Sequence, residues 1–211
     1  MRNQINNDES KCDAVFIGSL IEEFRKQGIF KSNMKRIVLI GYMGAGKTTL
    51  GSVLAKHLNL EFFDLDWYVE NRYRMKIPQI FQEKGEEGFR QLERLMLHEV
   101  GEMEDVVISC GGGTPCFFDN MDYINQQAES VYLKAEPEVL KEHLLMGKSK
   151  RPLIEGKSPE ELIAFIRESL QIREPFYAKA KHVVNIDVIH TKQQIDDYVN
   201  QIAEITQKQN F

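Results

Sequence analysis

From Ile37 onward, five short apolar runs recur along the chain: IVLIG (37–41), FFDL (62–65), VVISC (106–110), SVYL (130–133) and HVVNI (182–186). Each run is continuous rather than alternating, as expected of strands buried on both faces of a parallel sheet. The stretches between them place apolar residues at helical spacing. One covers Lys47–Leu58. Another covers Glu87–Met103, with Phe89, Leu92, Leu95, Met96 and Val100 on one face, and a third covers Glu138–Met146. A fourth opens at Ser158-Pro159-Glu160-Glu161: Ser158 is placed to cap, Pro159 suits the first helical position and Glu161 completes a capping box. The last carries Ile195, Tyr198, Val199, Ile202 and Ile205. This alternation predicts one three-layer α/β domain, a five-stranded parallel sheet covered by helices on both faces.

Residues 1–33 break the pattern. Asn and Asp dominate residues 3–13, and a short helical stretch follows with Ile17, Leu20, Ile21 and Phe24. They read as an N-terminal extension outside a catalytic core spanning 34–211, with Met34 as the functional start. The competing reading is an oligomer contact or a cover over a partner.

Composition narrows the class further. With 211 residues, 42% hydrophobic and 28% charged, the chain is an ordinary globular one, long enough to bury a core. A net charge of -5 argues against broad nucleic-acid binding. No run reaches the length needed to span a membrane, and the polar N-terminus does not resemble a secretory signal. Cys12, Cys110 and Cys116 form no CxxC pair, which suits reduced thiols in a cytoplasmic protein. Cys110 and Cys116 read as small apolar residues rather than redox groups. His57, His98, His182 and His190 show no zinc-ligand spacing.

The chemistry starts at Gly41–Thr48, GYMGAGKT, which matches the phosphate-binding pattern GxxxxGK[ST] between a strand and a helix. The backbone N–H groups of Gly44, Ala45 and Gly46, with Thr49 and the helix N-terminus behind them, form a nest for ATP phosphates. Lys47 is placed for the β- and γ-phosphates, and Thr48 offers its hydroxyl to Mg²⁺.

The second strand run leads into Asp64-Leu65-Asp66. In parallel sheets ligands gather at the carboxyl ends of strands, and alternation points both carboxylates to one side. One suits Mg²⁺ and the other an attacking hydroxyl. Asp66 also precedes WYVENR, where it would serve as a helix N-cap, and spacing leaves both readings open. Arg90 and Glu93 can meet on one helix face, either as a surface ion pair or as an arginine oriented to grip a carboxylate. Arg151, in GKSKRPL, lies in a basic loop suited to a lid over about 147–158. Arg173 opens REPFY near a helix end. Trp67 and Phe89 read as core residues, with an alternative as pocket walls. A second glycine run, Gly111, Gly112 and Gly113 in SCGGGTP, closes the third strand without an obvious ligand.

GYMGAGKTT, FFDLDWYVE, GEEGFRQLE, SCGGGTP, KRPL and REPFY, in this order, resemble the shikimate kinase family over roughly Lys35–Ile205. The resemblance implies the nucleoside-monophosphate-kinase-like P-loop fold and transfer of the ATP γ-phosphate to the 3-hydroxyl of shikimate. It implies that Asp66 binds the acceptor hydroxyls and assists deprotonation, and that Asp64 and Thr48 serve Mg²⁺. It further implies that Arg90 and Arg173 grip the shikimate carboxylate while Glu93 orients the site. Arg151 would close onto the phosphates, and Gly111–Gly113 would line the acceptor pocket, a methyl at Gly112 falling where the ring should lie. The partners implied are ATP and shikimate, in a monomer with neither nucleic acid nor membrane. Where the family often carries an adenine-packing arginine, seven residues before the lid arginine, this chain has Leu144. Leucine packing on adenine, helped by His143 or Lys148, is the expectation.

Two readings compete. Another small-molecule kinase, gluconate kinase-like or nucleotide kinase, is disfavoured by Arg90 and Arg173 together with the Asp64–Asp66 pair. A nucleotide-binding regulatory module is disfavoured by intact Lys47, Thr48, Asp66 and Arg151.

Overall fold

The strands are β1 (Arg36–Ile40), β2 (Glu61–Asp64), β3 (Val106–Ser109), β4 (Glu129–Lys134) and β5 (His182–Asn185), which pair in the order β2-β3-β1-β4-β5, all parallel. The three inner strands are also the most apolar. Leu39, Ile40, Val106, Val107, Ile108 and Val131 are fully buried, as strands covered on both faces must be. The computed structural model describes residues 35–147 and 154–207. The chain divides into Met1–Met34 and Lys35–Phe211, and the described residues all belong to the second unit. The N-terminal extension, Met34, Lys148 and Arg151 therefore lie outside the described residues.

Register is what makes the sheet useful. Leu39 and Asp64 both pair with Ser109, so the ends of β1, β2 and β3 are level. The chain leaving β1 and the chain leaving β3 consequently emerge side by side, with Asp64 next in the row.

The helices among the described residues are α1 (Lys47–Leu58), α2 (Leu65–Tyr73), α3 (Ile77–Gly101), α4 (Asn120–Gln127), α5 (Pro137–Met146), α6 (Pro159–Tyr177) and α7 (Lys192–Gln207), with a 3₁₀ turn at Thr114–Cys116. The step from β1 to β2 runs opposite to the other three along the sheet. Right-handed crossovers therefore put α1 on one face and the helices of the later crossovers on the other. α7 returns to pack on α1, and α4 packs on α3.

The strand runs and the helices at Lys47, Pro137, Pro159 and Lys192 follow the hydrophobic pattern closely. Two departures matter. The predicted helix from Glu87 is the second half of α3, which begins at Ile77 and is broken at Gly85 (φ 68°, ψ −176°). The other is α2, whose N-cap is Asp64 rather than Asp66: the Asp64 carboxylate accepts from the Trp67 N–H at 3.2 Å. β2 ends at Asp64, so Asp66 sits in the first turn of a helix and strand alternation does not relate the two carboxylates.

The capping box that opens α6 forms as the sequence suggests. Ser158 Oγ accepts from the Glu161 N–H at 3.2 Å, and Glu161 accepts from the Ser158 N–H at 2.7 Å. Ser158→Ala is expected to lower stability by about 1 kcal/mol and Ser158→Gly by only a few tenths, read from urea unfolding midpoints.

Candidate active site

The loop after β1 is shaped by glycine. Gly41, Gly44 and Gly46 have φ of 138°, 87° and 87°, a region L side chains rarely adopt, and a Cβ at Gly41 would stand 2.7 Å from the Leu133 carbonyl oxygen. Lys47, the first residue of α1, is buried and its ammonium donates to the carbonyls of Gly41 (2.8 Å) and Tyr42 (2.9 Å). The Thr48 hydroxyl donates to Asp64 Oδ2 at 2.7 Å. Asp64 thus uses one oxygen to cap α2 and the other to face Thr48. A small set of hard oxygen donors beside a phosphate-binding loop fits Mg²⁺, which takes few protein ligands and fills its shell with phosphate oxygens and water.

Asp66 lines a cavity shared with the phosphate loop. Burial, then repulsion from Glu93 and Asp64, pushes its carboxyl up to about 6, against the pull of Lys47 and Arg90. It is a carboxylate poised to take a proton near neutral pH.

Along the second glycine run, the facing side chains change residue by residue. A Cβ on Gly111 would lie 2.6 Å from Asp66 Oδ1 and 3.0 Å from Glu93 Oε1. At Gly112 it would meet Arg173 Nη1 at 3.4 Å, an ordinary contact, and at Gly113 it would strike the Arg90 guanidinium at 2.7–2.9 Å. None of the three has a positive φ. Their value lies in close approach, and the groups that approach belong to the protein itself. The close conflicts with the protein's own groups fall at Gly111 and Gly113, while a Gly112 methyl would make only ordinary contacts with them.

Arg90 is held from several directions. Its Nη1 donates to Glu93 Oε2 at 2.8 Å, and the guanidinium lies 4.2 Å from the Phe117 ring centroid. Glu93, almost fully buried, also accepts from the Thr114 hydroxyl at 2.6 Å. Arg173 lies over the Tyr42 ring, and the buried Tyr177, one helical turn on, donates its hydroxyl to the Gly112 carbonyl. Thr114, Phe117 and Tyr177 escaped the sequence reading. Thr114 and Tyr177 stand inside quoted motifs, but nothing in their spacing marks the contacts they make across the fold.

A cavity of about 460 Å³ is lined by Asp66, Gly111 and Gly112, by the phosphate loop, and by an apolar end of Met146, Ile189 and Ile195, whereas Arg90, Glu93, Gly113 and Arg173 do not line it. Leu144 does not face it. That side chain is buried, and a Cβ on Gly44 would sit 3.1 Å from its Cγ, so Leu144 supports the loop from beneath. His143 does line the cavity. Phe89 is core, stacked on Phe81, whereas Trp67 is 64% exposed and is no core residue. Burial raises the thiols of Cys110 and Cys116, the latter to about 11, which leaves both protonated and unreactive at neutral pH.

A family model described as shikimate kinase matches residues 43–204. A shikimate kinase of Phocaeicola vulgatus is 55% identical over 171 residues, covering 81% of this chain and 98% of the relative. The crystal structure of a shikimate kinase from Bacteroides thetaiotaomicron superposes with a TM-score of 0.81 at 48% identity, covering 82% of this chain and 99% of that one. A shikimate kinase from Acinetobacter baumannii in complex with shikimate gives 0.72 at 30% identity, covering 85% and 96%.

Displacing a positioned group by an ångström costs up to about 100-fold in rate, so Gly111→Ala and Gly113→Ala are expected to lose 10- to 100-fold in activity. Gly112→Ala should lose far less. Steady-state rates on the three variants, each checked for an unchanged melting temperature, test this order.

Proposed function

This chain belongs to the shikimate kinase family, and from that premise we propose how its own side chains divide the work. The protein is an ATP-dependent kinase that transfers the γ-phosphate of ATP to the 3-hydroxyl of shikimate, giving shikimate 3-phosphate and ADP in aromatic amino-acid biosynthesis. The observation that carries the assignment of roles is the row of Asp66 with Glu93, Arg173 and Arg90 laid against Gly111, Gly112 and Gly113, beside the phosphate loop.

Arg90 and Arg173 grip the acceptor carboxylate, a planar group that suits paired guanidinium donors. Glu93 and Thr114 hold Arg90 in place, and Phe117 supports its face. Asp66 orients the hydroxyl and takes its proton as the hydroxyl oxygen bonds to the γ-phosphorus and the bond to ADP breaks. The amides of Gly44–Thr49 and the Lys47 ammonium hold the phosphates, and Arg151 adds positive charge from the lid at about 147–158. Thr48 and Asp64 are the residues that would hold Mg²⁺, which supplies charge neutralisation on the phosphate oxygens. Exclusion of water by the lid protects ATP from hydrolysis.

Residues 34–211 form the catalytic unit in this reading, and residues 1–33 are an appendage. The chain acts as a monomer in this reading. Free thiols at Cys110 and Cys116 support a cytoplasmic setting. Among the described residues no helix is long and apolar enough to cross a membrane.

Turnover of shikimate, but not of gluconate or nucleoside monophosphates, is expected from the full chain and equally from the chain lacking residues 1–33. Arg90→Lys keeps the charge beside Glu93 but loses the forked donor; it should raise KM for shikimate about tenfold or more and leave KM for ATP nearly unchanged. An equal rise for both substrates would count against the carboxylate role.

Asp66 supplies a pH test with a definite sign. Its carboxyl titrates at about 6 in the fold against an ordinary 3.8, so kcat/KM should fall as pH drops through about 6. The same shift means the folded state binds the proton more tightly. Stability associated with protonated Asp66 is fully present below the ordinary carboxylate value and is lost as pH rises through about 6. Asp66→Asn should therefore be nearly inactive yet melt higher than the parent at neutral pH, an advantage that shrinks on acidification.

A further inference from the structure

His143 sits in the last turn of α5 with both ring nitrogens bonded to backbone. Nδ1 lies 2.8 Å from the Gly44 carbonyl oxygen, and Nε2 lies 2.9 Å from the Ile189 amide nitrogen. A carbonyl can only accept and an amide N–H can only donate. Nδ1 must therefore carry the proton and Nε2 the lone pair. Only the neutral Nδ1–H tautomer makes both bonds; an imidazolium would set an N–H against the Ile189 N–H.

The two anchors belong to different walls of one cavity. Gly44 is in the phosphate loop, where the end of α5 presses directly on it: a Cβ there would stand 3.1 Å from Leu144 Cγ and 3.3 Å from the Leu140 carbonyl. Ile189 lies between β5 and α7, and with Ile195 and Met146 it makes the apolar end of the cavity. A flat nucleobase attached to phosphates in the loop would reach that end. With both nitrogens committed, the imidazole has no free group to read the base. What it can do is fix the distance between the phosphate loop and the base wall.

We propose that His143, as the neutral Nδ1–H tautomer, is a positioning residue for the nucleotide, pinning Gly44 to Ile189 so that the loop and the base wall are spaced for a nucleoside triphosphate before it binds. This rests on the reading of the loop as the ATP site. The bridge is preorganisation: its benefit appears only for a ligand that touches both walls at once.

The test uses the full chain and three variants. His143→Ala removes both bonds, His143→Asn can keep only a donor toward Gly44, and His143→Gln can keep only an acceptor toward Ile189. Calorimetric titration should show ATP weakened about tenfold by His143→Ala and about threefold by each amide, with inorganic tripolyphosphate, which touches the loop alone, changed less than twofold. KM for shikimate and kcat at saturating ATP should stay near parental values, and ¹⁵N spectra of the parent imidazole should show Nδ1 protonated. Unchanged ATP affinity in the variants, equal losses for ATP and tripolyphosphate, or a ring protonated at Nε2 would each overturn the proposal. Should His143→Ala fail to fold, the two amide variants carry the same comparison. A parent protein that binds ATP but does not phosphorylate shikimate would overturn the functional reading alone and leave these titrations decisive for His143.

Discussion

The side of the site proposed for the acceptor depends on a stretch of backbone with no Cβ atoms. Asp66 and Glu93 reach over Gly111, and Arg90 lies across Gly113, at separations no side chain there would permit. These groups come from α2 and α3, elements joined to different strands, so they converge only because the glycine run lets them approach the end of β3. Glycine costs roughly 0.5–1 kcal/mol against alanine in regular structure. Here that cost is offset by a cluster of charges held close together without displacing the chain beneath them.

Burial and close packing of charge then set the chemistry. Asp66 is buried, Glu93 and Asp64 crowd it, and Lys47 and Arg90 offset them only in part, so Asp66 holds its proton more tightly than an ordinary carboxyl. Glu93, buried beside it, is paired instead. It has Arg90 on one oxygen and the Thr114 hydroxyl on the other, the full pairing that a buried carboxylate needs. The two acids differ in environment rather than in kind, one paired at both oxygens and the other facing the cavity.

The cavity has a second, quieter end. There the end of α5 supports the phosphate loop from below through Leu144 and braces it sideways through His143, while Met146, Ile189 and Ile195 offer an apolar wall. Backbone satisfaction does the work: Gly44 and Ile189, both in irregular segments, find in one imidazole the hydrogen-bond partner that neither helix nor sheet supplies.

Five continuous apolar runs, the glycine–lysine–threonine loop and the Ser158 box were enough to place the sheet, α1, the phosphate site and the start of α6, because each is a local matter of period, backbone freedom or capping. The charged residues proposed for the acceptor site, Asp66, Arg90 and Arg173, were also visible as motifs. Their arrangement was not. Asp64 became the cap of α2 because β2 ends in register with Ser109, and Trp67 was left exposed where its hydrophobicity suggested core. Leu144 turned under the loop while its neighbour His143 took the bridging place, a choice set by which face of α5 meets Gly44. Local sequence thus determined the strands, most of the helices and the inventory of reactive groups. Which groups touch, and how far burial shifts them, was decided by contacts between segments distant along the chain, which exist only once the sheet has closed its register.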